Sequence, residues 1–237
     1  MDTKMVEFKD LGKMKYKDAW DYQENLLKGN LEVKAKLNSD ASESFNSIST
    51  TNYLLLVEHP PVYTLGKSGK IDHVLISEEE RNARNIQFFH TNRGGDITFH
   101  GPEQIVGYPI LDLEKFYTDI GRYLRELEEV IILTLKDFDI RGERSKGETG
   151  VWIDSTVKGK ERKICAMGVR CSRWITMHGF ALNVNTDLTY FDHIIPCGIP
   201  DKKVTSIKEE LGHEVEISTV KEKIVKNFES VFNVKMV

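Results

Sequence analysis

The chain has 237 residues, of which 40% are hydrophobic and 30% charged, with a formal net charge of −4 and three cysteines. That length suits one large domain or two small ones, and the composition is that of a soluble globular protein with enough apolar residues for a core. It gives no reason to invoke nucleic acid; no apolar run approaches the ~20 residues of a membrane span, the charged N-terminus lacks a signal-peptide core, and an odd cysteine count fits a reducing compartment, so a cytoplasmic protein is expected.

Trp20, Leu26, Leu27 and Leu31 recur at helical spacing and predict a helix from Trp20 to about Lys36. The Ser/Thr/Asn-rich stretch from Leu37 to Asn52 reads as a loop. Tyr53 to His59 is expected as a buried strand, ended by Pro60-Pro61, and Val62 to Gly66 continues extended into a glycine-rich turn. The apolar run Ile86 to Phe89 precedes Arg93-Gly94-Gly95-Asp96-Ile97-Thr98-Phe99-His100-Gly101-Pro102. Gln104 to Leu111 is strand-like despite Pro109. Tyr117 to Phe138 carries Ile120, Tyr123, Leu124, Leu127, Val130 and Ile131, the stripe of an amphipathic helix. Gly150 to Ile153 is followed by strands at 163–171 and 176–184. Two helices are expected to close the chain, one opened by Ser206-x-x-Glu209 ahead of Gly212, the other by Thr219-x-x-Glu222 with Val220, Ile224, Val225, Phe228 and Val231 inward. Strands come in clusters rather than in βαβ alternation. The expected class is therefore α+β, with a mixed, largely antiparallel sheet flanked by helices. With no repeat and no linker, residues 1–237 are expected to form one domain with a helical portion at about 205–237.

Chemistry concentrates in three places. The 93–102 stretch puts three glycines, an arginine, a histidine and a proline into ten residues. Glycines there let backbone N–H groups approach a ligand, while Arg93 and His100 supply charge and proton capacity. Ile194-Ile195-Pro196-Cys197-Gly198-Ile199-Pro200 sets a cysteine between two prolines with glycine behind it, which can present a thiol to a pocket, although most free cysteines are small buried hydrophobes. Lys163 opens an apolar strand. It can snorkel to solvent, or, held in a pocket, lower a thiol pKa by its charge or act as a base. From Arg141 to Arg173, nine Lys/Arg stand against four Asp/Glu, an excess of +5 that reads either as a solvated hairpin or as a docking surface for acidic proteins. Cys165, Cys171, His178 and Cys197 lack the spacing of a zinc site, so no metal is expected.

Six segments together resemble the octanoyltransferases of lipoate biosynthesis, members of the biotin/lipoate ligase-like superfamily. They are Glu58-His59-Pro60-Pro61-Val62-Tyr63-Thr64-Leu65-Gly66, the 93–102 stretch, Gln104-x-Val106-Gly107-Tyr108-Pro109, Lys163-x4-Gly168, His178-Gly179-Phe180-Ala181-Leu182-Asn183-Val184 and Pro196-Cys197-Gly198. They occur in the family's order over about residues 53 to 207. One departure is Glu103, where the family usually has glycine.

The resemblance implies a biotin/lipoate ligase-like catalytic domain acting as a lipoyl(octanoyl) transferase. Cys197 would take the octanoyl group from octanoyl-acyl carrier protein as a thioester. A lysine of an apo lipoyl domain would then receive it as an amide, on a 2-oxoacid dehydrogenase acyltransferase subunit or on the glycine cleavage H protein. Lys163 would lower the thiol pKa or act as base. Arg93, Gly94, Gly95, Asp96, Ile97, Thr98, Phe99 and His100, then Ala166, Met167 and Gly168, then Gly179, Phe180 and Ala181, would line the acyl site, with Gly179 and Ala181 leaving a slot for the alkyl chain. His178 and His100 would orient groups or handle protons. Backbone N–H groups near Gly94, Gly95 or Gly168 would receive the oxyanion. No cofactor is implied, since a thioester arrives activated. The rival on the same fold is a lipoate–protein ligase using ATP and free lipoate, which needs no nucleophilic cysteine; Cys197 favours the transferase.

Overall fold

The computed structural model describes residues 4–39, 48–195 and 203–237. Cys197 lies outside the described residues, as do Pro196 and Gly198. In chain order the elements are β1 (Lys4–Lys13), α1 (Tyr16–Ser39), β2 (Tyr53–Glu58), β3 (Val62–Leu65), α2 (Glu78–Ala83), β4 (Gln87–His90), β5 (Ile97–His100), β6 (Gln104–Ile110), α3 (Ile120–Lys136), β7 (Glu143–Arg144), β8 (Val151–Ile153), β9 (Arg162–Ser172), β10 (Ile175–Asn183), β11 (Lys203–Val204), α4 (Ile207–Leu211), α5 (Ile217–Phe232) and β12 (Val234–Met236). Among the described residues, one large sheet runs β12-β1-β2-β6-β10-β9-β8-β7, with β11 on β9, and a small sheet runs β4-β3-β5. The central pairs β2–β6, β6–β10, β10–β9 and β9–β8 are antiparallel, while β1 pairs both its neighbours in parallel. The expected mixed, largely antiparallel α+β fold is what forms.

Burial explains the layers. Leu54 and Leu56 of β2 enter the core with α3 and α5, while Leu55 and Val57 enter a second core under α1. A strand buried on both faces reads as a continuous apolar run, which is why β2 is legible in sequence. The small sheet has its own core of Tyr63, Leu65, Ile97 and Phe99, closed by Phe191 and Ile194.

Several boundaries differ from the expectation. The first helix starts at Tyr16 and takes in Leu37 to Ser39, part of the expected loop. The helix expected over Tyr117 to Phe138 spans Ile120–Lys136, because the Asp119 side chain caps it by accepting from Arg122 N–H. Ser206 caps α4 as expected, accepting from Glu209 N–H. Thr219 does not open α5; the helix begins two residues earlier, after Glu216, without a side-chain cap. β1 and β12 were not foreseen, since their charged residues mask the strand pattern.

Pro109 shapes the middle of the large sheet. The β6–β10 ladder pairs Phe180 with Gly107, and its continuation would set His178 opposite Pro109. Proline has no N–H to give. The ladder stops there, and His178 takes a left-handed backbone with φ 60°. Its N–H is received by Gln23 Oε1 of α1 at 3.0 Å. The Thr176 hydroxyl fills the gap, accepting from Leu111 N–H and donating to Pro109 O, both at 2.9 Å. Thr176→Val keeps the volume but leaves both groups without that partner. It should lower the urea-unfolding free energy by about 2–3 kcal/mol, and Thr176→Ser by under about 1 kcal/mol. Equal stability of the valine variant and wild type would refute this role.

Candidate active site

Lys163 reaches the site through a bulge. Trp152 pairs with Lys163 and Val151 with Cys165, so β9 carries one extra residue, Ile164, against β8. Trp152 and Val151 are adjacent on β8 and point to opposite faces. Their partners therefore do too. Lys163 joins the Ala166 and Gly168 side, and Cys165 turns into the opposite core. Strict alternation would have set Lys163 with Met167 instead. Lys163 is 9% exposed, and its Nζ stands 4.6 Å from the Trp152 ring centroid. Its carbonyl accepts from Thr205 N–H at 3.0 Å, just after β11.

The glycine-rich loop lies against β9. Gly94 N–H donates to Val169 O at 2.9 Å. A Cβ at Gly168 would sit 2.6 Å from Gly94 O, so only glycine permits this approach. Arg93 is buried beneath the loop. Its Nη2 donates to Thr64 O at 2.6 Å and to Thr64 Oγ1 at 3.0 Å, and its Nη1 to Gly94 O at 3.0 Å.

A directed chain of hydrogen bonds follows from Thr64. Gln104 Nε2 donates to Phe99 O (3.1 Å) and to Asn183 Oδ1 (2.8 Å), and Asn183 Nδ2 donates to Thr205 O (2.9 Å). Gln104 Oε1 therefore faces His100 Nδ1 at 3.0 Å, which must carry the proton. His100 Nε2 is left to accept from the Thr64 hydroxyl at 3.2 Å. The other two histidines are fixed in the same manner. His59 Nδ1 donates to Met14 O and its Nε2 accepts from Tyr108, both at 2.7 Å. Asn92 Nδ2 donates to Glu24 (3.0 Å), so its Oδ1 accepts from His178 Nε2 at 2.7 Å.

These rings are neutral. Burial lowers His59 to about 4. Burial, with help from the Arg93 and Arg170 charges, lowers His178 to about 3. His100, stacked on Tyr16 at 5.9 Å, is pushed well below its usual value by burial, His59 and Arg93. With both nitrogens engaged, His100 orients rather than shuttles protons. Burial raises the Cys165 thiol, and it also raises Cys171.

A cavity of about 600 Å³ joins these groups, within the ordinary range for a small-molecule site. Arg93, Gly94, Gly95, Asp96, Ile97, Thr98 and His100 line it, with Lys163, Ala166, Met167, Gly168, His178, Gly179, Phe180 and Ala181. Phe99 does not. It is fully buried, stacked on Tyr190 at 4.5 Å in the small-sheet core. Gly179 leaves no slot for an alkyl chain; a Cβ there would meet Gly107 O at 2.2 Å, so the neighbouring strand fills that space. Sequence reading missed Tyr16 of α1, Ile120 and Leu124 of α3, and Asn183, all in the wall. Only the helical stripe of Ile120 and Leu124 carried a signal, and it read as core.

The cavity wraps the edge of β9. Ala166 pairs with Ala181, Gly168 meets Gly94 and Arg93, Met167 packs against the core that holds α3, and β8 covers β9 only up to Cys165. Glu103, the position where glycine was expected from the resemblance, takes the left-handed conformation that glycine favours, with φ 61°, and its carboxylate accepts from Asn185 Nδ2 at 2.8 Å. Part of the basic stretch is not a free surface. Arg162 is bound by Glu210 and Asp154, each at 2.6 Å, whereas Lys158 and Lys160 are exposed.

This fold is that of the lipoate ligases. A bipartite lipoate protein ligase from Thermoplasma acidophilum superposes with a TM-score of 0.67 at 14% identity, covering 100% of this chain and 86% of that one. The lipoyl protein ligase A/B catalytic domain matches residues 15–229. An octanoyltransferase of Christiangramia forsetii is 57% identical over 99% of this chain and 98% of its own length, and one of Flavobacterium psychrophilum is 56% identical over 98% of both. The chain belongs to the lipoyl protein ligase A/B catalytic domain family, among its octanoyltransferases, and is an acyltransferase.

The three neutral histidines have a cost at low pH. Their folded pKa values lie below the unfolded 6.5, so the unfolded chain takes up the protons first. Their stabilisation is complete above pH 6.5 and is lost as pH falls from there towards 4 and below. Each contributes about 1.4 kcal/mol per pH unit over that window. Urea unfolding at pH 7, 6 and 5 should show a steep decline, and His178→Gln should flatten it by about 1 kcal/mol per pH unit over that range. An unchanged slope in the variant would mean that His178 is protonated in the folded protein.

Proposed function

We propose that the protein transfers an octanoyl group from octanoyl-acyl carrier protein to a lysine of an apo lipoyl domain, through a thioester on Cys197. The observation that carries this reading is the bulge at Ile164. It brings Lys163 into the cavity of the glycine-rich loop while sending Cys165 to the opposite face. With Cys171 also raised, neither of those thiols suits a nucleophile that must ionise. Cys197 is the remaining cysteine. The residues flanking its span border the same site: Ile195 N–H donates to His73 O, and Val204 pairs with Lys163.

The steps balance without an added reactant. The Cys197 thiol loses its proton, either to Lys163 acting as base or to solvent with the Lys163 charge holding the thiolate, and attacks the donor's thioester carbon; the carrier thiolate leaves and takes up a proton. The acceptor lysine, as a free amine, then attacks the enzyme thioester, forms the amide and returns the thiol. Gly94 N–H is already committed to Val169 O, which leaves the N–H groups of Gly95 and Gly168 for the oxyanion. The apolar wall of Val106, Ile120, Leu124, Met167 and Phe180 receives the alkyl chain, whose six methylenes contribute about 5 kcal/mol on full burial. Acceptors are the lipoyl domains of 2-oxoacid dehydrogenase acyltransferase subunits and the glycine cleavage H protein. The ATP-dependent ligase reading is disfavoured by identity: the octanoyltransferases match at 57% and 56%, the ligase at 14%.

Incubation with octanoyl-acyl carrier protein should add one hydroxylamine-labile octanoyl mass to the protein. Cys197→Ala should abolish it, and Lys163→Ala should slow loading by about 100-fold or more. An adduct that persists in Cys197→Ala would refute the assignment.

A further inference from the structure

The cavity wall is built from two sheets. Lys163, Ala166 to Gly168 and Gly179 to Ala181 stand on the large one. The glycine-rich loop enters β5 of the small one, and Ile194 packs in that sheet's core. Ile195 is therefore anchored to the small-sheet unit, two residues before Cys197. His73, in the 3-10 turn Ile71–His73, is bonded to both the loop and Ile195.

Its side chain holds the loop. His73 Nδ1 lies 2.6 Å from Asp96 Oδ2, and Asp96 Oδ1 accepts from Ile97 N–H at 2.7 Å. Asp96 lines the cavity. The pair is largely shielded, with side chains 18% and 12% exposed, so solvent competes weakly for the bond. Its main chain holds the other segment. His73 O accepts from Ile195 N–H at 2.9 Å, Val74 bridges Ile194, and Leu75 N–H donates to His193 O at 2.9 Å. One residue thus ties the acyl-site loop by its ring and the approach to Cys197 by its carbonyl.

We propose that His73 is a positioning residue for the transfer reaction, fixing the spacing between the glycine-rich loop and the point from which the chain leads to Cys197. This rests on the reading of Cys197 as nucleophile. Attack needs the sulfur and the carbonyl carbon in near contact, and a misplacement of about 1 Å can cost 100-fold. A ring bonded to the Asp96 carboxylate on one side and a carbonyl bonded to Ile195 N–H on the other fix how these two segments stand to each other.

The test is quench-flow loading of Cys197 from octanoyl-pantetheine, read by intact mass. His73→Ala should lower the loading rate constant about tenfold or more, with half-saturation within about threefold. His73→Asn, whose amide nitrogen can stand where Nδ1 stands, should recover most of the rate. Asp96→Ala should match His73→Ala, and the double variant should be no worse than either single one. Should His73→Ala fail to fold, His73→Asn against the double variant His73→Asn/Asp96→Ala makes the same comparison. Unchanged loading in His73→Ala, a loss confined to half-saturation, no recovery by asparagine, or additive losses would each overturn the proposal while leaving the nucleophile intact. Failure of wild-type Cys197 to load would overturn both readings together.

Discussion

The buried guanidinium of Arg93 is the constraint on which the rest of the site depends. It rests on Thr64 of the small sheet and on Gly94 of its own loop, and the loop in turn lies on Val169 of the large sheet. A buried charge is tolerated only where its donors are satisfied, and the backbone carbonyls of β3 and the loop do that. Its field also keeps His100 and His178 neutral, though burial is the larger cause. Neutral rings with assigned tautomers then order Gln104 and Asn183 as far as Thr205, beside the Lys163 carbonyl. One cation thereby organises both the floor of the cavity and the strand that carries the pocket lysine.

Two breaks in regular pairing aim the chemistry. Pro109 interrupts the β6–β10 ladder and turns His178 towards α1. The extra residue in β9 changes which face Lys163 shares. Bulges and ladder breaks next to functional groups are a recurrent way of re-aiming side chains. Here the bulge separates Lys163 from Cys165 by face, since Cys165 is buried in the core that Lys163 avoids.

Much of this was legible in the sequence, for identifiable reasons. β2 is apolar from Leu54 to Val57 because cores lie on both of its faces, and β10 is buried along its whole length. The Arg93 to Pro102 stretch stood out because close backbone approach and φ above zero demand glycine. β1 was hidden because lysines and acidic residues at Lys4, Glu7, Lys9, Asp10 and Lys13 interrupt any apolar alternation. The side of β9 on which Lys163 falls was not legible, since one bulged residue reverses a period-two pattern. Nor was the burial of Phe99, which sits inside a motif otherwise turned to the cavity. Tyr16 and Asn183 enter the site through long-range packing, which no local pattern encodes. The basic stretch after Arg141 reads as a continuous surface, yet Arg162 is neutralised by two carboxylates distant or folded back in sequence.

The account stands or falls on whether the acyl group travels through the enzyme. The most direct measurement is a single-turnover chase. Octanoyl-loaded protein, freed of donor, is mixed with apo lipoyl domain and both masses are followed in time. The octanoyl mass should leave Cys197 and appear on the acceptor lysine with one rate constant, at least as fast as overall turnover. An octanoyl group that stays on the enzyme, is lost to water, or moves more slowly than turnover would contradict the account.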